Sequence, residues 1–264
     1  MCRLLGYATT APTSLLELLG DDDLTAFTEL SRKHGDGWGL ASSGPGGVEL
    51  HKAPDAAYAS PRFAEVAREC PTDLALVHLR WATLGLAVVE DNAHPFSDGR
   101  LAFAHNGSVT PPAFLSDLVA DRVRPLQRGD TDSELLFLAV LSRLPDGPVT
   151  DDAVALAYAQ TLCAVHEVLP GCSLNSLVLT PTRLLAGCRH DPFGQEDGDV
   201  DYYRLGWQAT GSTVVVASSG WGSGWTDLPN GHLLEVDRGT LSTRVRSLQE
   251  AAGGAEGIGD TAVA

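Results

Sequence analysis

Apolar and polar positions along the chain fall into blocks that read as strand, helix and strand in turn. Residues 3–9 (RLLGYAT) form the short apolar run of a strand. Ser14-Leu15-Leu16-Glu17 has the Ser-x-x-Glu pattern of a helix start, with Leu18 and Leu19 continuing it, and a second helical segment covers Leu24 to Leu30. Val48 to Ala53 alternates and pairs with 37–43 as a hairpin, Pro61 to Glu69 predicts a helix, and Leu74 to Thr83 predicts a strand. Alternation along that strand sets His78, Arg80 and Ala82 on one face and Val77, Leu79, Trp81 and Thr83 on the other. Ala102 to Gly107 is a strand ending in Asn-Gly, and Thr131-x-x-Glu134 opens an apolar helix as a second capping box. Residues 151–169 predict another helix, with strands following at 176–180, 183–188, 213–218 and 232–236. Asp191 to Asp201 reads as an acidic exposed loop, and residues 246–264 as a disordered tail. Residues 2–245 contain no repeat and no strong linker, so one domain is expected. Strand runs and helix runs are segregated, which predicts an α+β layered fold.

Composition narrows the function classes. A formal net charge of −16 disfavours nucleic acid and anionic membranes as partners, since both require a basic patch. No run approaches the ~18 apolar residues of a membrane span. The N-terminus breaks into polar and acidic residues too early for a signal peptide, so a cytoplasmic location is expected. The 5 cysteines are odd in number and widely spaced, with no Cys-x-x-Cys pair, which points away from a disulfide framework or a zinc site. There is no Walker-type glycine loop and no iron–sulfur cysteine set. The sequence calls for no metal and no cofactor.

Five short stretches carry candidate chemistry. Cys2 follows the initiator methionine, and removal of Met1 would put a thiol and a free α-amine on one residue. An amine with an unperturbed pKa near 8 can take the thiol's proton, so nucleophile and base would come together. Taken alone, Cys at position 2 is a weak signal. His34-Gly35-Asp36-Gly37-Trp38-Gly39 is glycine-dense, which suits either a plain turn or a close backbone approach at a site wall. Arg80, in an apolar strand, needs an anion: a structural salt bridge, the simpler reading of this segment alone, or a substrate carboxylate. Asn106-Gly107 is a turn signal that also suits an oxyanion hole, where a side-chain amide and a backbone N–H converge. Asp132 fits a helix first turn, or a pocket that binds an ammonium group.

Taken in order, Cys2-Arg3, His34 to Gly39, His78-Leu79-Arg80-Trp81-Ala82-Thr83, His94-Pro95-Phe96, Ala104-His105-Asn106-Gly107 and Gly129-Asp130-Thr131-Asp132-Ser133-Glu134 resemble the class II glutamine amidotransferases. These belong to the N-terminal nucleophile hydrolases. The likeness is greatest to single-domain members, the YafJ-like proteins and the ergothioneine-pathway γ-glutamyl hydrolases, and spans about residues 2–240. The resemblance implies an αββα sandwich of two antiparallel sheets. It implies Cys2 as nucleophile with its own amine as base, Asn106 and Gly107 as oxyanion hole, and Arg80 and Asp132 as clamps for the α-carboxylate and α-ammonium of the substrate. It further implies Trp81, Thr83 and His94 along the pocket. The activity implied is cleavage of the γ-amide of glutamine or of a γ-glutamyl conjugate through a thioester. The alternatives are a glutaminase subunit that feeds ammonia to a synthase partner, and a catalytically silent glutamyl-binding protein. The chain departs from the family at Ser218-Ser219-Gly220-Trp221, where Ser-Glu-Pro is expected. The Gly/Trp segment 220–225 is either a specificity wall or a packed turn.

Overall fold

A computed structural model describes residues 2–191, 193, 202–218 and 223–253. Strand β1 (Arg3–Thr13) leads into helix α1 (Leu15–Glu29), followed by the hairpin β2 (Trp38–Gly44) and β3 (Gly47–Ala53). Helix α2 (Pro61–Glu69) returns the chain to β4 (Thr72–Leu79). β5 (Phe96–Ser97) and β6 (Ala102–Ser108) precede α3 (Ala113–Leu118), α4 (Asp132–Arg143) and α5 (Asp151–Val168). β7 (Ser173–Leu179), β8 (Arg183–Cys188), β9 (Gly206–Ala209), β10 (Thr213–Ala217), β11 (Thr226–Asp227), β12 (His232–Asp237), β13 (Thr243–Ser247) and α6 (Leu248–Ala251) complete the order.

The strands form two antiparallel sheets, β11-β9-β10-β1-β4-β2-β3 and β13-β12-β8-β7-β6-β5. Side-chain alternation decides what each face does. On β1 and β4 the even positions Leu4, Ala8, Leu74 and Leu76 point at the second sheet, meeting Ala102, Ala104, Leu177 and Leu184. The odd positions Leu5, Tyr7, Val77 and Leu79 pack under Leu15, Phe27, Phe63 and Val66 of α1 and α2. On the far side, Phe103, Val178 and Leu185 are covered by Leu136, Tyr158 and Leu162 of α4 and α5. The result is four layers, α/β/β/α, as the resemblance implies. Burial on both faces explains why Leu74 to Val77 reads as a continuous apolar run. No described helix is long and apolar enough to cross a membrane.

Several local expectations hold in detail. Ser14 and Glu17 form a reciprocal capping box at the start of α1, and Gly20, with φ 77°, separates its two helical segments. Others change for physical reasons. β4 stops at Leu79 rather than Thr83. Arg80 still exchanges backbone hydrogen bonds with Gly37 and Asp36 (Arg80 N to Gly37 O, 2.8 Å; Asp36 N to Arg80 O, 3.0 Å), but the next amide, Ala82 N, is taken by the Asp36 carboxylate at 2.8 Å, which ends the ladder. The box at α4 is half formed. Thr131 Oγ1 accepts from Glu134 N, while the Glu134 carboxylate reaches further back, to the amides of Arg128 and Gly129. Residues 246–253, expected in a tail, complete β13 and form α6, with its own capping box at Ser247 and Glu250 and with Leu248 and Ala251 buried. Residues 192 and 194–201 of the acidic loop, the rest of the tail from 254 and residues 219–222 of the Gly/Trp segment lie outside the described residues.

Candidate active site

The register that builds the sandwich also gathers the candidate residues at one end of it. Arg3 pairs with Leu79 across β1 and β4, so Cys2 lies where the chain opposite is at Arg80. Cys2 continues the inward row of Leu4, and Asn106 continues the inward row of Ala102 and Ala104 on β6. His78 bridges the sheets there, its Nε2 3.3 Å from the carbonyl of His105.

Cys2 is buried, and Trp81 N–H donates to its Sγ at 3.4 Å, with the thiol 3.7 Å from the Trp81 carbonyl. Burial pushes the thiol pKa up. The Trp81 N–H and the Arg80 charge pull it back, and the Asp132 carboxylate adds to the rise. A thiol held in its neutral form needs a base close by to become a nucleophile.

Arg80 is 2% exposed. Its Nη1 donates to the carbonyls of Asp36 and Ala87, both at 3.2 Å, while Nη2 is buried without a partner. No described carboxylate forms a salt bridge with it, so the structural ion pair has no partner among the described residues. The Asp36 carboxylate acts on it only through space, without a salt bridge, and a buried guanidinium without a directly bonded anion is costly, which suits it to an anionic ligand. Asn106 is fully buried and neither its Oδ1 nor its Nδ2 has a partner. At Gly107 a Cβ would lie 2.0 Å from the Ser173 carbonyl oxygen, so only glycine fits beside that strand.

Asp132 opens α4 and is only part-buried. Its Oδ2 accepts from Val109 N at 2.6 Å and its Oδ1 from Ser133 N at 2.8 Å, which ties the helix start to the segment just behind Asn106-Gly107. His105 makes two contacts, Nδ1 with Ser133 Oγ and Nε2 with the Ser173 carbonyl, each 2.9 Å. His94 lies tilted against His78 at 4.1 Å and edge-to-face with Phe96 at 4.6 Å between ring centroids, with both ring nitrogens buried and unpartnered. Gly39 lets that segment approach: a Cβ there would sit 2.2 Å from the His94 carbonyl oxygen. The glycine-dense run is thus both a turn and a close approach, packed against the His94 segment.

Trp81 is half-buried, edge-on to His34 at 5.7 Å, with Lys33 Nζ 4.9 Å above its ring. Thr83 is exposed on the 82–91 loop, where its carbonyl accepts from Leu86 N. The structure therefore brings Cys2, Arg80, Trp81, His94, Asn106, Gly107 and Asp132 to one end of the sandwich, and leaves Thr83 on the exposed loop. Met1 lies outside the described residues. Sequence reasoning missed Asp36, whose carboxylate and carbonyl anchor Ala82 and Arg80, and Asn92, buried at the foot of the loop. A polar residue inside a glycine-dense or Asn-x-His-Pro run was the available signal for both.

The buried histidines have a consequence for stability. Burial pushes His78 down to about 3 and His94 well below its usual value, and it lowers His105 as well. His78 and His94 are neutral in the fold and His105 is driven the same way, whereas in the unfolded chain all three bind protons below about pH 6.5. The unfolded state then holds more protons, so stability is full above that pH and falls as pH drops below it, by up to about 1.4 kcal/mol per pH unit per histidine. Denaturant titrations at pH 7 and pH 5 should show a marked loss at the lower pH, and His94→Phe should reduce that loss. A pH-independent midpoint would contradict the assignment.

Comparison with known proteins gives the family of the chain and supports its fold. The family model for class-II glutamine amidotransferases matches residues 1–255. A γ-glutamyl-hercynylcysteine sulfoxide hydrolase of Mycolicibacterium smegmatis is 28% identical over 253 residues, covering 89% of this chain and 96% of that protein. Among solved structures, a glutamine aminotransferase class-II domain protein from Silicibacter pomeroyi superposes with a TM-score of 0.65 at 20% identity, over 93% of this chain and 99% of that one. The glutamine phosphoribosylpyrophosphate amidotransferase of Bacillus subtilis superposes with a TM-score of 0.64 at 17% identity, over 94% of this chain but 49% of that one. At those identities the structural likenesses speak for the fold alone. The family match over nearly the whole chain, on a four-layer α/β/β/α sandwich, shows that this chain belongs to the class-II glutamine amidotransferase family.

Proposed function

We propose that the chain, an amidohydrolase-type enzyme by its family, cleaves γ-glutamyl amides on its own through a thioester on Cys2. The observation that carries the reading is Arg80, a buried guanidinium with an unpartnered Nη2, no salt bridge to a described carboxylate, and the Cys2 thiol within its field. In this reading Arg80 holds the substrate α-carboxylate and Asp132 its α-ammonium, so that the γ-carbonyl meets Sγ. Once Met1 is removed, the α-amine of Cys2 takes the thiol proton and the thiolate adds to the carbonyl carbon. Asn106 Nδ2 and the Gly107 N–H stabilise the oxyanion, the α-ammonium returns its proton to the leaving nitrogen, and the C–N bond breaks. Water, deprotonated by the same amine, then hydrolyses the thioester and releases glutamate. Trp81 and His94 would line the pocket, with Thr83 approaching from the loop.

The relative named as a γ-glutamyl-hercynylcysteine sulfoxide hydrolase favours a γ-glutamyl conjugate over free glutamine as substrate. A cytoplasmic biosynthetic setting fits such an activity. The second reading, a glutaminase that hands ammonia to a synthase partner, rests on the family match alone. The test is glutamate release by the purified chain from glutamine and from γ-glutamyl anilides. Ready turnover of the anilide without any added protein supports the hydrolase. Negligible turnover until a co-purifying protein is restored supports the second reading.

Asn106 gives a sharper expectation. Asn106→Ala should lower kcat about 10²–10³-fold with little change in KM, the loss typical of one oxyanion donor. Steady-state kinetics on the anilide would check it, and a change confined to KM would remove Asn106 from that role.

A further inference from the structure

Two loops must be in register for an amino-acid head group to be held at both ends, one carrying Arg80 and the other leading to Asp132. The buried side chain of Asn92 joins them. Asn92 is 1% exposed and closes a one-turn helix, residues 90–92, below the 82–91 loop. Its Nδ2 donates to the Ala87 carbonyl at 3.1 Å, the same oxygen that accepts from Arg80 Nη1 at 3.2 Å. Its Oδ1 accepts from Asp130 N at 2.9 Å, two residues before Asp132. The amide orientation follows from these partners, since a carbonyl can only accept and a backbone N–H can only donate. Gly129 is packed against the same side chain: a Cβ there would lie 2.3 Å from Asn92 Oδ1 and 2.7 Å from the Asp91 carbonyl. The other side of the 127–131 segment is fixed by Glu134, whose carboxylate accepts from Arg128 N and Gly129 N at 2.9 and 2.8 Å.

We infer that Asn92 is a positioning residue that sets the distance between the α-carboxylate clamp at Arg80 and the α-ammonium clamp at Asp132. The inference rests on the γ-glutamyl reading of the site. Asn92 touches neither the substrate nor the reacting sulfur; it acts through the shared Ala87 carbonyl on one side and the Asp130 amide on the other. Aspartate at this position keeps the acceptor for Asp130 N but loses the donor to Ala87 O, so it cuts the Arg80 side alone. Leucine cuts both sides. Glutamine, one methylene longer, keeps both hydrogen-bonding groups but displaces them.

The experiment crosses these variants with trimmed substrates. Glutamine, its analogue without the α-carboxylate (4-aminobutanamide) and its analogue without the α-amine (glutaramate) are assayed by ammonia release. Glutamate binding to the Cys2→Ala form is measured by calorimetry with and without each Asn92 substitution. Asn92→Leu should raise KM for glutamine and weaken glutamate binding, each about 10-fold or more, with kcat changed less than about threefold. Asn92→Asp should erase most of the penalty that wild type shows for losing the α-carboxylate while keeping the penalty for losing the α-amine. A merely structural Asn92 would lower thermal stability and scale all three substrates alike, and that result overturns the inference. Wild-type binding and turnover with unchanged Asn92 variants overturns the inference and leaves the γ-glutamyl reading standing. A wild type that neither binds glutamate nor cleaves any γ-amide overturns the reading, and the inference with it.

Discussion

Cys2→Ala is expected to lower turnover of γ-glutamyl amides by about 10⁴-fold or more while the fold stays intact. The magnitude follows from removing a covalent nucleophile, since no other group near Trp81 can replace the sulfur and the reaction must revert to attack by water. Alanine is small enough for Met1 to be removed before it, so the α-amine is still generated and the comparison isolates the thiol. The fold should tolerate the change because, among the described residues, the hydrogen bonds of Sγ are two long ones to the Trp81 backbone, at 3.4 and 3.7 Å. Circular dichroism and the thermal midpoint should therefore match wild type, and glutamate binding should persist. Retained turnover would remove the mechanism. Lost turnover with a collapsed midpoint would mean that Cys2 is chiefly a packing residue.

Arg80→Ala is expected to raise KM for glutamine-like substrates about 30-fold to 10³-fold or beyond. Truncating one partner of a buried charge pair costs about 2–5 kcal/mol, and each 1.4 kcal/mol is a factor of ten. Part of the effect will be structural, because the Asp36 carbonyl loses its Arg80 donor and the Ala87 carbonyl keeps only that of Asn92. Arg80→Lys separates the contributions. A lysine keeps one charge and can reach one carbonyl, but it cannot reproduce the planar fork that serves two carbonyls and a carboxylate together. It should recover most of the thermal midpoint and only part of the KM. Kinetics with 4-aminobutanamide give the decisive contrast: a substrate without a carboxylate should be nearly indifferent to Arg80. An unchanged KM for glutamine in Arg80→Ala would confine the residue to holding its loops.

The sequence exposed the sandwich because both faces of its central strands are apolar, and the runs 74–77 and 184–188 stand out without any alignment. It hid β13, whose TRVRS pattern offers one apolar residue between two arginines on an exposed edge, and so residues 246–253 read as a tail. The site was legible where chemistry forces an unusual residue into an apolar setting, as with Arg80 and Asn106. It was ambiguous where one residue serves two purposes: Asp132 binds the amides of its own helix start and of Val109, while its charge also acts on Cys2. Asn92 and Asp36 stayed invisible because their meaning lies in loops that meet only in three dimensions. Nothing local distinguishes an asparagine that joins two clamps from one that ends a turn.

The central claim is that Cys2 becomes the N-terminal residue and attacks a γ-glutamyl carbonyl. Intact mass before and after incubation with a glutamine-analogue diazoketone tests it most directly. The account predicts a chain lacking Met1 that gains one adduct, mapped to Cys2, and that is protected from labelling by excess glutamate. A chain that keeps Met1 and remains unlabelled, or an adduct on Cys70, Cys163, Cys172 or Cys188 instead, would contradict it.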